Sequence, residues 1–167
     1  PEHRIAQENV LGQAGVKLLR KLGYDIKKFH MNEGHAAFAT LELLAEGKTE
    51  KEIKNLCAFT THTPVAAGHD KWDYNSAKNI LGNFLPANIQ EFAGQYDLNM
   101  TQLALSLSGY INAVSKKHAE VCKEMEVFKG KEIDYITNGI HPKNWATKPF
   151  ADLFESHFKY WSIQPRV

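Results

Sequence analysis

The sequence has few of the residues that announce a fixed chemistry. Cysteine occurs only twice in 167 residues, at Cys57 inside an apolar run and at Cys122 in a helical stretch. Two cysteines so placed make no disulfide framework and suit a reducing compartment, which points to the cytoplasm. Neither belongs to a Cys-x-x-Cys pair, which argues against the common structural zinc sites. No charge of one sign prevails: 20 basic and 19 acidic residues leave a formal net charge of +1. Neither nucleic acid nor an anionic membrane is therefore expected as a partner. No apolar run approaches the roughly 20 residues of a membrane span, and the opening PEHRIAQENV has no apolar signal core. The phosphate cradles G-x-x-x-x-G-K-[ST] and G-x-G-x-x-G and the hydrolase elbow G-x-S-x-G are absent. HMNEGH looks superficially like a zinc-protease helix, but His30 and His35 stand five apart across a glycine, not four apart on one helix face. No metal is read from these motifs.

What is present is an ordinary globular composition, 43% hydrophobic and 23% charged, at a length that fits one domain with a real core. There is no internal repeat, linker or low-complexity segment. The chain opens within a few residues on a helical pattern and closes on KYWSIQPRV, with no initiator methionine, so it is expected to be a piece of a longer protein. Histidine is enriched, and four of the eight (His30, His35, His62, His69) stand near the ends of apparent strands or in the loops behind them.

Apolar spacing predicts a helix from Arg4 to Leu22, with Gly23 as its C-cap. Gly12 and Gly15 in its interior imply close packing against a neighbour or a break into two helices. DIKKFHMN reads as a strand, GHAAFATLELLAEG as a helix, and TEKEIKNL as a helix opened by a Thr49/Glu52 capping box. CAFTT is a second strand. Short helices follow at 75–81 and 87–92, then the helix MTQLALSLSGY, the strand INAVS, the helix KKHAEVCKEM, the strand EIDYITN and the helix KPFADLFESHF. Strands alternating with helices of this length predict a mainly parallel α/β sheet. Residues 1–167 are read as a single α/β unit.

Three loops behind strands hold the candidate chemistry: N-E-G-H at 32–35, T-H-T-P with A-A-G-H-D at 61–70, and T-N-G-I-H-P at 137–142. In a parallel sheet they share one edge, where ligands of such folds bind. Amides, hydroxyls, carboxylates and imidazoles with glycines among them offer donors and acceptors in both directions, which suits a polyhydroxylated ligand such as a sugar. Each loop also has a purely structural use. His35 can fill a gap against the sheet, Asn32 and Glu33 can cap a helix, and Asn138-Gly139 is a generic turn pair.

FHMNEGHAAFATLELL, CAFTTHTPVAAGHDKW, INAVSKKHAEV and DYITNGIHPKNWA, in this order, closely resemble segments of the α-glucan phosphorylases, the glycogen, starch and maltodextrin phosphorylase family. The opening QENVLGQAGVKLLRKLGYD is similar to the segment that precedes them in the bacterial and archaeal branch. The resemblance implies a Rossmann-like parallel sheet with flanking helices, part of one half of a GT-B two-domain glycosyltransferase, with this chain the later part of the N-terminal half. It implies retaining phosphorolysis of terminal α-1,4-linked glucose to α-glucose 1-phosphate. The implied cofactor is pyridoxal 5'-phosphate, with its lysine in the C-terminal half, beyond this chain. Implied partners are the α-1,4-glucan, inorganic phosphate and that second half, with self-association left open.

By the same resemblance His62 matches the active-site histidine that meets the glucose hydroxymethyl and whose main-chain carbonyl faces the reacting sugar. Asn138 matches a sugar-binding asparagine, and Glu33 and His35 match an acidic residue and a histidine near the glucosyl pocket. Glutamate at 33 departs from the aspartate of the animal and plant pattern. His69 and Asp70 are typical of the branch and receive no role. Two other readings stay open: a nucleotide-sugar glucosyltransferase of the starch or glycogen synthase type, and a carbohydrate-binding module without activity.

Overall fold

The computed structural model describes residues 2–158 and 160–163. By its internal contacts the chain divides into two compact units, Pro1–Thr137 and Asn138–Val167.

Among the described residues the first unit carries six strands, β1 (Phe29–Asn32), β2 (Cys57–Thr61), β3 (Lys71–Asp73), β4 (Asp97–Asn99), β5 (Tyr110–Ala113) and β6 (Asp134–Tyr135). β1, β2, β5 and β6 form one sheet in that order, every pair parallel, with Met31 beside Phe59 and Phe59 beside Ile111. This is the expected parallel α/β architecture. β3 and β4 pair antiparallel as a separate ribbon, Trp72 opposite Leu98, which the hydrophobic pattern does not announce because each is only three residues long.

The helices are α1 (Glu2–Asn9), α2 (Gly15–Lys21), α3 (Ala39–Ala45), α4 (Glu50–Leu56), α5 (Tyr74–Leu81), α6 (Ile89–Ala93), α7 (Met100–Ser106) and α8 (Lys116–Lys123). The helix expected over 4–22 is interrupted by a π-helical stretch, Val10–Ala14. Gly12 sits in it, and a Cβ there would lie 2.6 Å from the Ala39 nitrogen, so the glycine is needed for close packing against the start of α3. β1 is shorter than expected and begins at Phe29. The capping box of α4 is formed: Glu52 Oε2 accepts the Thr49 N–H at 2.8 Å and the Glu52 N–H reaches Thr49 Oγ1 at 3.3 Å. α7 and α8 are N-capped by Asn99 and Ser115, whose side chains accept the N–H groups of Gln102 and His118.

Phe38, Phe59, Leu43, Ile53, Leu98, Leu103, Leu107 and Phe128 are fully buried and form the core beside Met31. On the sheet a polar row crosses three strands. His30 Nε2 lies 2.7 Å from Thr60 Oγ1, which donates to Asn112 Oδ1 at 2.8 Å. The threonine hydroxyl has one proton and gives it to an oxygen that can only accept, so His30 holds its proton on Nε2. This histidine is thereby a sheet tie.

The second unit contains α9 (Pro142–Trp145) and α10 (Lys148–His157). Its described side chains pack as an aromatic row, Phe150, Phe154 and Trp161, while Lys148 pairs with Asp152 one turn on. Among the described residues, no helix is long and apolar enough to cross a membrane.

Candidate functional site

β1 and β2 run parallel, so the loops after Asn32 and after Thr61 leave the sheet at the same edge. Glu33 joins them. Its carboxylate Oε2 accepts the His62 main-chain N–H at 2.7 Å and the Thr63 hydroxyl at 2.8 Å, and Oε1 stands 3.5 Å from the Thr61 hydroxyl. Its own N–H donates to the Thr60 carbonyl at 2.9 Å. Glu33 is buried, and its backbone sits at φ 65°, ψ 176°, a region used almost only by glycine. Holding a side chain there costs on the order of 1 to 3 kcal/mol, and such strain concentrates at functional sites. The conformation is what turns the carboxylate from β1 onto the β2 loop.

The next residue explains why the strain persists. A Cβ at Gly34 would lie 3.2 Å from both Met100 Cβ and the Thr101 nitrogen, so α7 presses directly against this corner. The glycine of N-E-G-H therefore makes room for protein, not for a ligand. His62 itself is exposed, and its imidazole makes no hydrogen bond among the described residues. A pinned main chain thus carries a free ring at the sheet edge.

His69, buried, turns its Nε2 to within 3.3 Å of the Thr63 carbonyl and meets Phe128 edge-on at 6.1 Å between ring centroids. It braces the same loop from behind. The Asp70 carbonyl accepts the Met100 N–H at 3.0 Å, tying the loop's end to α7.

His35 belongs to a second cluster. Its Nδ1 lies 2.8 Å from Arg4 Nη2, 3.3 Å from Asp70 Oδ2 and 3.6 Å from Glu8 Oε1. Burial, then the neighbouring Asp70, pushes the Glu8 carboxyl up to about 8. Burial also acts to raise Asp70, but Glu8 and Arg4 outweigh it and hold this carboxyl below the usual range. The sequence couples Arg4 with Glu8, four apart on one helix face, but nothing in it joins that pair to residues 35 and 70. The cluster exists only because α1 packs near both loops.

Asn138 lies in the second unit, exposed, in a segment without hydrogen-bonded turn or helix from 136 to 141. Gly139 has open space where a Cβ would stand, and neither residue has positive φ, so the Asn-Gly pair is not the tight turn it can encode.

No family profile matches the chain. It is 40% identical to a maltodextrin phosphorylase of Thermococcus litoralis over 93% of its length, 34% identical to a glycogen phosphorylase of Aquifex aeolicus over 92%, and 31% identical to a glycogen phosphorylase of Mycobacterium tuberculosis over 91%. By sequence, the chain is homologous to a segment of the α-glucan phosphorylases. It spans 21%, 26% and 22% of the length of those three relatives.

In this phosphorylase segment the loops at 33–35 and 62–70 contain no lysine, and Gly34 is closed off by α7. These two loops therefore supply no lysine to hold an aldehyde cofactor as a Schiff base. What the edge offers is one exposed imidazole on a fixed backbone, with threonine hydroxyls and a buried carboxylate behind it. Such a wall can bind and orient a neutral polyol.

The sequence alone places Glu33, His35 and His62 in neighbouring loops. It does not reveal that Glu33 is spent on the His62 backbone or that His35 Nδ1 is committed to Arg4. A signal for the first was present, since an acidic residue directly before a glycine at a strand end can reach an adjacent parallel strand. No comparable signal existed for the second.

Proposed function

We propose that this chain supplies one wall of the glucosyl pocket of an α-glucan phosphorylase, as the later part of the N-terminal half of a two-domain GT-B enzyme. That enzyme removes the terminal α-1,4-linked glucose of a glucan and transfers it to inorganic phosphate with retention, in the cytoplasm. Its other half would hold pyridoxal 5'-phosphate, whose phosphate group supplies proton transfer.

The observation that carries the reading is the single carboxylate oxygen of Glu33 holding both the His62 N–H and the Thr63 hydroxyl. It fixes the peptide groups on either side of His62 while leaving the imidazole exposed. The ring would hydrogen-bond a glucose hydroxyl, and the fixed His62 carbonyl would face the sugar carbon as positive charge develops there. A preorganised dipole of this kind stabilises an oxocarbenium-like transition state without reorganising during the reaction. By the resemblance Asn138 is a further sugar-binding candidate, with an amide able both to donate and to accept. Glu33 acts in this scheme as a positioning residue, a narrower role than the direct sugar contact that the resemblance implies.

The test is His62→Ala in the full-length enzyme. Loss of one hydrogen bond to the sugar costs about 1 to 3 kcal/mol, and because the contact tightens in the transition state, kcat should fall as well as kcat/KM. Activity within twofold of the parent would remove His62 from the pocket.

A further inference from the structure

We propose that Glu8, His35 and Asp70 form a binding site for one divalent transition-metal ion of the zinc type, at the point where the Arg4 guanidinium now lies.

Three observations converge. First, the spacing fits. His35 Nδ1 stands 3.3 Å from Asp70 Oδ2 and 3.6 Å from Glu8 Oε1, and one donor atom from each residue lies within 4.8 Å of the others. Two ligands on a tetrahedral zinc, each roughly 2.1 Å from the metal, are about 3.4 Å apart.

Second, Glu8 is buried with few partners. Its side chain is 1% exposed; Arg4 Nε pairs with Oε1 at 3.2 Å, and neither oxygen accepts a well-aligned hydrogen bond among the described residues. A buried carboxyl is costly in that condition and is relieved by a cation it can ligate.

Third, the imidazole is set for ligation. Arg4 Nη2 can only donate, so His35 Nδ1, 2.8 Å away, accepts and carries its lone pair into the cluster. The same guanidinium nitrogen reaches Asp70 Oδ2 at 3.2 Å. Arg4 thus occupies the place where all three ligands point, on a side chain that is 44% exposed and can withdraw into solvent. The bound ion would staple α1 to the loops behind β1 and β2. This holds whether or not the glucan reading is right, because none of the three ligands has to touch a sugar through these atoms.

The experiment is calorimetric titration of chelator-treated intact protein with zinc chloride, repeated with cobalt(II) for its visible spectrum. One equivalent should bind and raise the melting temperature, and the cobalt spectrum should show no thiolate charge-transfer band, which excludes Cys57 and Cys122 as ligands. His35→Gln and Asp70→Asn should each weaken binding by about tenfold or more. Arg4→Ala removes the competing cation and should tighten it. No saturable binding in the parent and in Arg4→Ala would overturn the site, as would unchanged affinity in folded His35→Gln and Asp70→Asn. If those two variants do not fold, Arg4→Ala decides: tighter binding upholds the site, and equal or weaker binding overturns it.

Discussion

Two buried glutamates stand near one end of the same sheet and live in opposite conditions. Glu33 gives its carboxylate two close hydrogen bonds from the β2 loop and tolerates a strained backbone to do so. Glu8, more deeply buried, has the Arg4 Nε at 3.2 Å but no well-aligned hydrogen bond to either oxygen, and burial pushes its carboxyl up to about 8. Burial alone therefore does not tell what an acidic side chain is for. The Glu33 carboxylate is built into the loop's backbone, so the fold requires its charge and acceptors. Glu8 is held by the Arg4 ion pair and not by the backbone, so its carboxyl is less committed to the fold than that of Glu33.

The largest effect should come from breaking the Glu33 clamp. Glu33→Ala leaves the His62 N–H and the Thr63 hydroxyl without their acceptor, and hydrogen bonds to a charged group contribute about 1.5 to 3 kcal/mol each. Denaturant unfolding should show a loss of about 3 to 6 kcal/mol, and the full-length variant should lose more than tenfold in kcat/KM. Glu33→Gly loses the same acceptor but relieves the positive-φ strain, so it should unfold about 1 kcal/mol later than Glu33→Ala. Equal stabilities would mean that the backbone at 33 is not strained.

Gln substitution contrasts the two glutamates directly. Glu33→Gln should destabilise by about 1 to 2 kcal/mol, because the amide keeps one acceptor but loses the charge. Glu8→Gln in metal-free buffer should stay within about 1 kcal/mol of the parent, since only the half-exposed Arg4 pairing is lost. A large loss in Glu8→Gln would show that the Arg4 pairing is a main support of α1.

These contrasts mark how far the sequence could be read. The parallel sheet, the Thr49/Glu52 capping box and the convergence of the first two loops followed from local pattern, because alternation, caps and strand ends are written in contiguous residues. β3 and β4 did not, since three-residue strands have too little period to register. Nor did the joining of the Arg4–Glu8 pair to His35 and Asp70, which happens only after α1 has packed. The role of Glu33 was half legible: its place was, but its φ and its target were not. His69 and Asp70, without a role in the sequence, turn out to brace Thr63 and to tie the loop to α7.

Smaller effects test the frame around the clamp. Gly34→Ala sets a Cβ 3.2 Å from Met100 and Thr101 and should cost roughly 1 to 2 kcal/mol by thermal melting, through overpacking of the corner. Least of all should happen at the thiols. Cys57 and Cys122 are buried, and burial pushes each up to about 11, so a disulfide reagent at pH 8 should label the native chain only at the rate of its unfolding. Rapid labelling would place one of them in a more open environment.

The central claim is that the Glu33 carboxylate fixes the main chain at His62. Amide hydrogen exchange at His62 reads that bond alone, because the residue is otherwise exposed and its N–H has no other acceptor among the described residues. The account predicts a protected His62 amide in the parent and exchange faster by at least tenfold in Glu33→Gln, with the core amides of β2 at Phe59 unchanged. An unprotected His62 amide in the parent, or equal protection in both proteins, would contradict it.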